Sequence, residues 1–344
     1  MPSLRPLSTE LPTAEHPVAS GEPTPTPAKR RRASLPLLGG LISIVALAFV
    51  VYWASKQQAP RLPHTPKEIL ALIGAIALYG AATCVRAERW QKLLEDEGAQ
   101  PPRADTYALT VIGYMGNNVL PARAGDAIRV VLMGPPAKTS RITVIGTLVA
   151  ERVLDVAVLV VLFVVVGYGL LGDVGGGKVG IILAVLAVIA VAVAIGWRFV
   201  RRSERLHKIA AEIARSTLSL RRAHHGVRLL AMTLLIWCIE AAVWMLVGAA
   251  VGFGMDPIEG LYLVALASVF SMIPSGPAYA GTQDAAVAIG IKALGGTGSI
   301  AVAYLLMLRF VIVVPITLVG FVLLVVRYGG LKRLRGARAA SADQ

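Results

Sequence analysis

Apolar residues come in blocks of roughly 20 or more separated by short charged stretches, the pattern of helices that cross hydrocarbon. Blocks at 35–54, 68–85, 141–171, 179–199, 227–252 and 299–326 predict six spans. Two further apolar stretches are interrupted. In 106–133 the breaks are Gly113, Gly116, Asn117, Asn118, Pro121 and Gly125; in 258–294 they are Pro274-Ser275-Gly276-Pro277 and Gly281. Proline and glycine end helices and free backbone groups. Lipid cannot satisfy such groups, so they must be buried in protein or line a wet cavity.

Charge assigns direction. Arg30–Arg32, then Arg86, Arg89, Lys92 and Arg103, then Arg123, Arg129, Lys138 and Arg141 read as cytoplasmic, as do the basic stretches 198–228 and 327–338. The connections 55–67, 172–178 and 253–257 are short and less basic. This gives six crossings with both termini in the cytoplasm, and it makes each interrupted stretch enter and leave on one side, as a re-entrant helix pair. The expected fold is an all-α polytopic membrane protein. About six transmembrane helices and two re-entrant pairs form an inverted repeat with halves near 35–171 and 178–327, within a membrane domain spanning 35–327. Interrupted segments at matching places in two inverted halves point to a transporter site near the midplane. Spacing agrees in part. Cys84 and Trp90 precede Pro121 by 37 and 31 residues, and Cys238 and Trp244 precede Pro274 by 36 and 30. Asp126 to Glu151 is 25 residues, as is Asp284 to Arg309.

Outside this domain, residues 1–34 form a proline-rich polar tail ending in Lys29-Arg30-Arg31-Arg32, too polar to fold. Its basic end suits anionic inner-leaflet lipid. A second basic tail covers 328–344, and 201–222 has the spacing of a helix lying on the inner surface.

Composition narrows the function. Of 344 residues 56% are apolar and only 16% charged, which excludes a soluble enzyme, a secreted disulfide scaffold and a mainly disordered chain. The net charge of +14 lies in the tail and connections, where cytoplasmic retention explains it without nucleic acid. Cys84 and Cys238 lie inside spans, and the histidines lie in the tail or connections without metal-ligand spacing, so neither metal nor cofactor is expected.

Three groups of residues can carry chemistry. Around the first break, Asn117 and Asn118 offer donors and acceptors to freed backbone or a ligand. Arg123 and Arg129 present planar forks suited to phosphate, and Asp126 can hold one arginine. The alternative is a cytoplasmic loop with a capping aspartate. The second group is Glu151-Arg152-x-x-Asp155, about 15 Å along a helix from Arg141. Arg152 and Asp155 can pair on one face, and the net negative triplet wants an outside partner such as Arg123 or Arg129. A structural network and a surface position are the alternatives. The third group lies at the second break: Ser275, Tyr279, Gln283 and Asp284, with Arg309 and Glu240 as lone ionisable residues within spans. A helix restarting near Thr282 aims its amides at the break, but Asp284 in its first turn partly occupies that field.

Arg89-Trp90-x-x-Leu93-Leu94, Asn117-x-x-Leu120-Pro121-Ala122-Arg123-Ala124-Gly125-Asp126-x-x-Arg129, Glu151-Arg152-x-x-Asp155 and the Pro274–Gly281 loop occur in this order. Together they resemble the lysylphosphatidylglycerol synthetase transmembrane region, the flippase-like integral membrane family, over roughly 67–326. The resemblance implies a bacterial inner-membrane protein that moves a phospholipid or glycolipid headgroup between leaflets. Bifunctional members carry an aminoacyl transferase domain after the membrane part; none is expected here, nor is lipid aminoacylation. Gly276-Pro277-Ala278 departs from the proline-glycine pair common in the family's second loop.

The leading expectation is therefore a non-enzymatic lipid transporter, facilitated or ion-coupled because no Walker motif occurs. Its partners are a membrane phospholipid or glycolipid, a second copy of itself or an envelope-synthesis enzyme. The alternatives are an accessory or scaffold protein for envelope lipid or glycan synthesis and, more remotely, an intramembrane lipid-modifying enzyme.

Overall fold

A computed structural model of the chain describes residues 34–120, 124–170, 223–271 and 277–329. All regular structure among them is helical: α1 Ser34–Ser55, α2 Pro66–Asp96, α3 Arg103–Val119, α4 Ala124–Met133, α5 Arg141–Leu170, α6 Ala223–Ala250, α7 Pro257–Ser271, α8 Thr282–Ala293 and α9 Gly298–Tyr328. A 3₁₀ turn, Pro277–Tyr279, precedes α8. Among the described residues, three helices are long and apolar enough to cross a membrane: Pro66–Asp96, His225–Ala250 and Gly298–Tyr328. The span expected at 179–199 and the surface helix at 201–222 fall outside the described residues, as do the tails.

Local chemistry sets the helix ends. Thr65 Oγ1 accepts from the Glu68 amide at 3.3 Å, and Glu68 Oε2 accepts from the Thr65 amide at 3.1 Å, with Pro66 at the first helical position. Thr65→Ala is expected to lower stability by about 1 kcal/mol, read as a small fall in thermal midpoint. At the other end α2 corrects the sequence reading. The predicted span stops at 85, but the helix runs to Asp96 because Ala87, Trp90, Leu93 and Leu94 continue a buried face at helical spacing. Arg86, Arg89 and Lys92 are thus helix residues rather than loop charges.

Both interrupted stretches are helix–break–helix units. α3 and α4 lie so close that a Cβ on Gly125 would collide with the Gly113 carbonyl oxygen, and one on Gly116 would stand 2.7 Å from Gly125 Cα. α7 and α8 form the second pair. α2 packs along α6, α3 along α9, and α5 against α7.

The bundle's two ends are identified by contacts between distant residues. At one, Asp105 accepts from Arg327 at 2.8 Å and Tyr328 at 2.7 Å, while Asp96 pairs with Arg228 at 3.3 Å. At the other, Ser299 donates to the Ala59 carbonyl at 3.2 Å. The breaks lie between. Asn118 donates to Thr317 at 3.1 Å, and Asp284 bonds Arg309 at 2.8 Å. Along α9 each of these positions is 11 residues, about 16 Å, from the end where that pair's first arm starts. That is close to half of a ~30 Å hydrocarbon core.

Candidate functional site

Six charged side chains from α2, α4 and α5 close a ring of alternating sign. Arg89 reaches Asp155 at 2.7 Å and Glu151 at 3.8 Å; Arg129 reaches Glu151 at 3.0 Å and Asp126 at 3.7 Å; Arg152 reaches Asp126 at 3.3 Å and Asp155 at 3.7 Å. Three arginines face three carboxylates, so the ring is neutral. Arg89, Arg129 and Glu151 are buried, whereas the Arg152 side chain is 41% exposed. The ring therefore has a sealed side and an open side.

Two of the arginines are held from outside the ring. Arg89 also donates to Thr233 of α6 at 2.8 Å. The Arg129 guanidinium stacks 3.9 Å from the centre of the Trp90 ring, whose Nε1 donates to Thr147 at 3.1 Å. Its aliphatic stem needs Gly113: a Cβ there would come within 2.6 Å of Arg129 Cδ. Asn117, itself buried, accepts from the Gly125 amide at 3.0 Å and fixes the start of α4. The first break is thus built around the ring. A cavity of about 880 Å³ between α4 and α5 meets the open side, where Asp126 and Arg152 sit among Val130, Ile145, Val149 and Val156.

A second pairing stands at the other break. Arg309 bonds Asp284 at 2.7–2.8 Å and donates to the Ala278 carbonyl. Asp284 also accepts from the Gly281 amide at 2.9 Å, capping α8. The break's anion-seeking amide is therefore taken by an internal carboxylate. Tyr279 lies in the turn and Gln283 is half-buried on the first turn of α8. A cavity of about 570 Å³ reaches this pair from between α1 and α9. Glu240 pairs with Arg86 at 2.7 Å rather than with Arg309, the other lone ionisable residue within the spans.

The structure thus joins Asp126, Arg129, Glu151, Arg152 and Asp155, and separately Asp284 and Arg309. Arg129 supplies the outside partner that the acidic triplet requires, and its charge is directed to Glu151 instead of standing open for phosphate. Asn118 lies apart, against α9. Arg123 and Ser275 fall outside the described residues. The sequence reading missed Arg89 and Arg86 as site residues. The signal was the helical spacing of Ala87, Trp90 and Leu94, which carries the helix past its apolar block.

The family model for the lysylphosphatidylglycerol synthase TM region matches residues 37–320, most of the chain. The chain belongs to this family. Its six-charge ring uses residues of three of the family-like motifs, those around Arg89, Asp126 and Glu151. Among curated proteins the chain is similar to a protein named glycosyltransferase AglD from Haloferax volcanii, 23% identical over 352 residues, covering 86% of this chain. The chain spans 55% of that relative's length. No solved structure matches it. Family membership and the apolar helices place this member in a membrane.

Proposed function

We propose that this protein moves a phospholipid or glycolipid headgroup between the leaflets of a bacterial inner membrane, without aminoacylating it and without ATP. The observation that carries the reading is the neutral ring of buried charge at a broken helix pair, meeting an apolar-walled cavity. Ionisable residues at such depth face a polar pathway, and apolar walls ending in polar groups match an amphipathic substrate. Arg152, on the open side, is the first charge a headgroup meets. Pairing of residues 96, 105, 228 and 327 at one end supports a single cytoplasmic face and cytoplasmic termini.

The contacts also support an inverted repeat. Arg86 and Trp90 on α2 stand 154 positions before Glu240 and Trp244 on α6. Thr147 and Arg152 on α5 stand 157 before Tyr304 and Arg309 on α9, and Asp126 stands 158 before Asp284. Under these shifts the same residue pairs meet, though through different atoms in the first case. Trp90 Nε1 donates to Thr147 and Tyr304 donates to the Trp244 carbonyl, while Asp126 pairs with Arg152 and Asp284 with Arg309.

Purified protein in vesicles containing labelled phosphatidylglycerol or glycosyl diacylglycerol is expected to raise the transbilayer rate above that of protein-free vesicles. Arg152→Gln should lower it at least tenfold. Equal rates with and without protein would overturn the reading. The similarity to AglD favours a second one, an accessory protein in glycan synthesis, which predicts co-purification with a glycan-building enzyme.

A further inference from the structure

The two halves provide an internal comparison for the charged ring. The shift that carries Arg86 to Glu240 carries Arg89 to Val243. The shift between Asp126 and Asp284 carries Arg129 to Val287. The shift between Arg152 and Arg309 carries Glu151 to Leu308 and Asp155 to Ile312. All four counterparts are apolar, and all four meet in one hydrophobic cluster. Val243 and Val287 are 0% exposed, Leu308 is 2% exposed, and Ile312 packs against them. One half therefore fills these positions with aliphatic packing, and the other with two arginines and two carboxylates. The remaining ring pair, Asp126–Arg152, is different: it has an ionic counterpart in Asp284–Arg309 and tethers the broken segment in both halves.

Replacing a buried ion network with packed aliphatic residues is often neutral or stabilising, so packing alone does not account for the four charges. A second observation points to a ligand. The Nε–H groups of Arg89 and Arg129 are buried and have no hydrogen-bond partner among the described residues. Buried donors in native proteins are nearly always paired, with protein, water or ligand, so each of these two is open to one acceptor oxygen.

We infer that Arg89, Arg129, Glu151 and Asp155 form a binding site for the acceptor oxygens of the headgroup, engaging them through Arg89 and Arg129, and that the fold does not need them as charges. This rests on the transport reading. Phosphate and sugar oxygens share the required chemistry. The neutral ring accepts a sugar hydroxyl as it stands, and a phosphate only when a ring carboxylate turns away.

The test uses the full chain with R89V/R129V/E151L/D155I, which copies the other half, and with R129Q/E151Q, which removes one charge pair and leaves polar amides in its place. Each is reconstituted with photoactivatable phosphatidylglycerol or monoglucosyl diacylglycerol. The fourfold variant should melt at or above the parent's temperature, and both variants should lose at least tenfold in crosslinking to α2 and α4 peptides. Loss with one lipid and not the other identifies the oxygen source. Unchanged crosslinking in R129Q/E151Q overturns the site. A fourfold variant that fails to fold or melts well below the parent overturns the claim that the charges are dispensable for folding. Crosslinking without lipid movement in the parent removes the transport reading and leaves the site standing. Lipid movement at full rate in both variants does the reverse.

Discussion

Arg89→Ala is expected to destabilise the protein by about 3–5 kcal/mol, the cost of breaking a buried ion pair from one side. One side chain spans three helices: it starts on α2, bonds Asp155 and nears Glu151 on α5, and bonds Thr233 on α6. Truncation leaves Asp155 with Arg152 at 3.7 Å as its remaining cation and strands the Thr233 contact. Arg89→Lys keeps the charge but loses the planar fork that reaches Asp155 and Thr233 together, and should recover only part of the loss. Pairing Arg89→Val with Asp155→Ile removes both charges and should recover more than Arg89→Lys. Thermal unfolding in detergent orders the three variants. An Arg89→Ala midpoint within a degree of the parent's would contradict the buried geometry.

Gly125→Ala should have the second large effect. Any Cβ at 125 meets the Gly113 carbonyl oxygen, and Asn117 Nα and Oδ1 both lie 2.7 Å from it. These are backbone and hydrogen-bonded atoms that cannot swing aside. Overpacking of a tight contact costs about 1–3 kcal/mol, and the only relief is for α4 to lift from α3. Because α4 carries Asp126 and Arg129, lifting it opens the ring at two of its six members. Transbilayer movement should therefore fall more steeply than stability. Gly80→Ala is the matched control. Nothing lies within 4 Å of its added methyl, and α2 should gain about 0.5–1 kcal/mol of helix propensity.

The fold was legible where solvent chemistry writes it. Unbroken apolar runs marked α1, α5, α6 and α9 to within a few residues; α3 stops two residues before Pro121, α7 stops before Pro274 and α8 starts after Gly281. Gly113, Gly116, Asn117 and Asn118, expected as breaks, instead lie inside α3 because its backbone ladder tolerates them where α4 packs close. The end of α2 was less legible because Arg86, Arg89 and Lys92 look the same in a list whether they face water or each other's counter-ions. Burial of Trp90 and Leu94 decides between those states, and only the fold supplies the carboxylates at 151, 155 and 240. The acidic triplet's need for a cation could be read from its own charge. That the cations would be Arg129 and Arg89 could not, because these lie 22 and 62 residues before Glu151 in sequence.

Ala278 and Tyr279 hold φ of 51° and 56°, a left-handed pair of side-chain-bearing residues where glycine is the ordinary choice. Such backbone costs on the order of 1–3 kcal/mol per residue. The Arg309 clamp on the Ala278 carbonyl and Asp284 keeps it wound. This corner is a cocked spring with Arg309 as a catch: when Arg309 releases the Ala278 carbonyl, relaxation of residues 278–279 favours a different backbone path at those two residues.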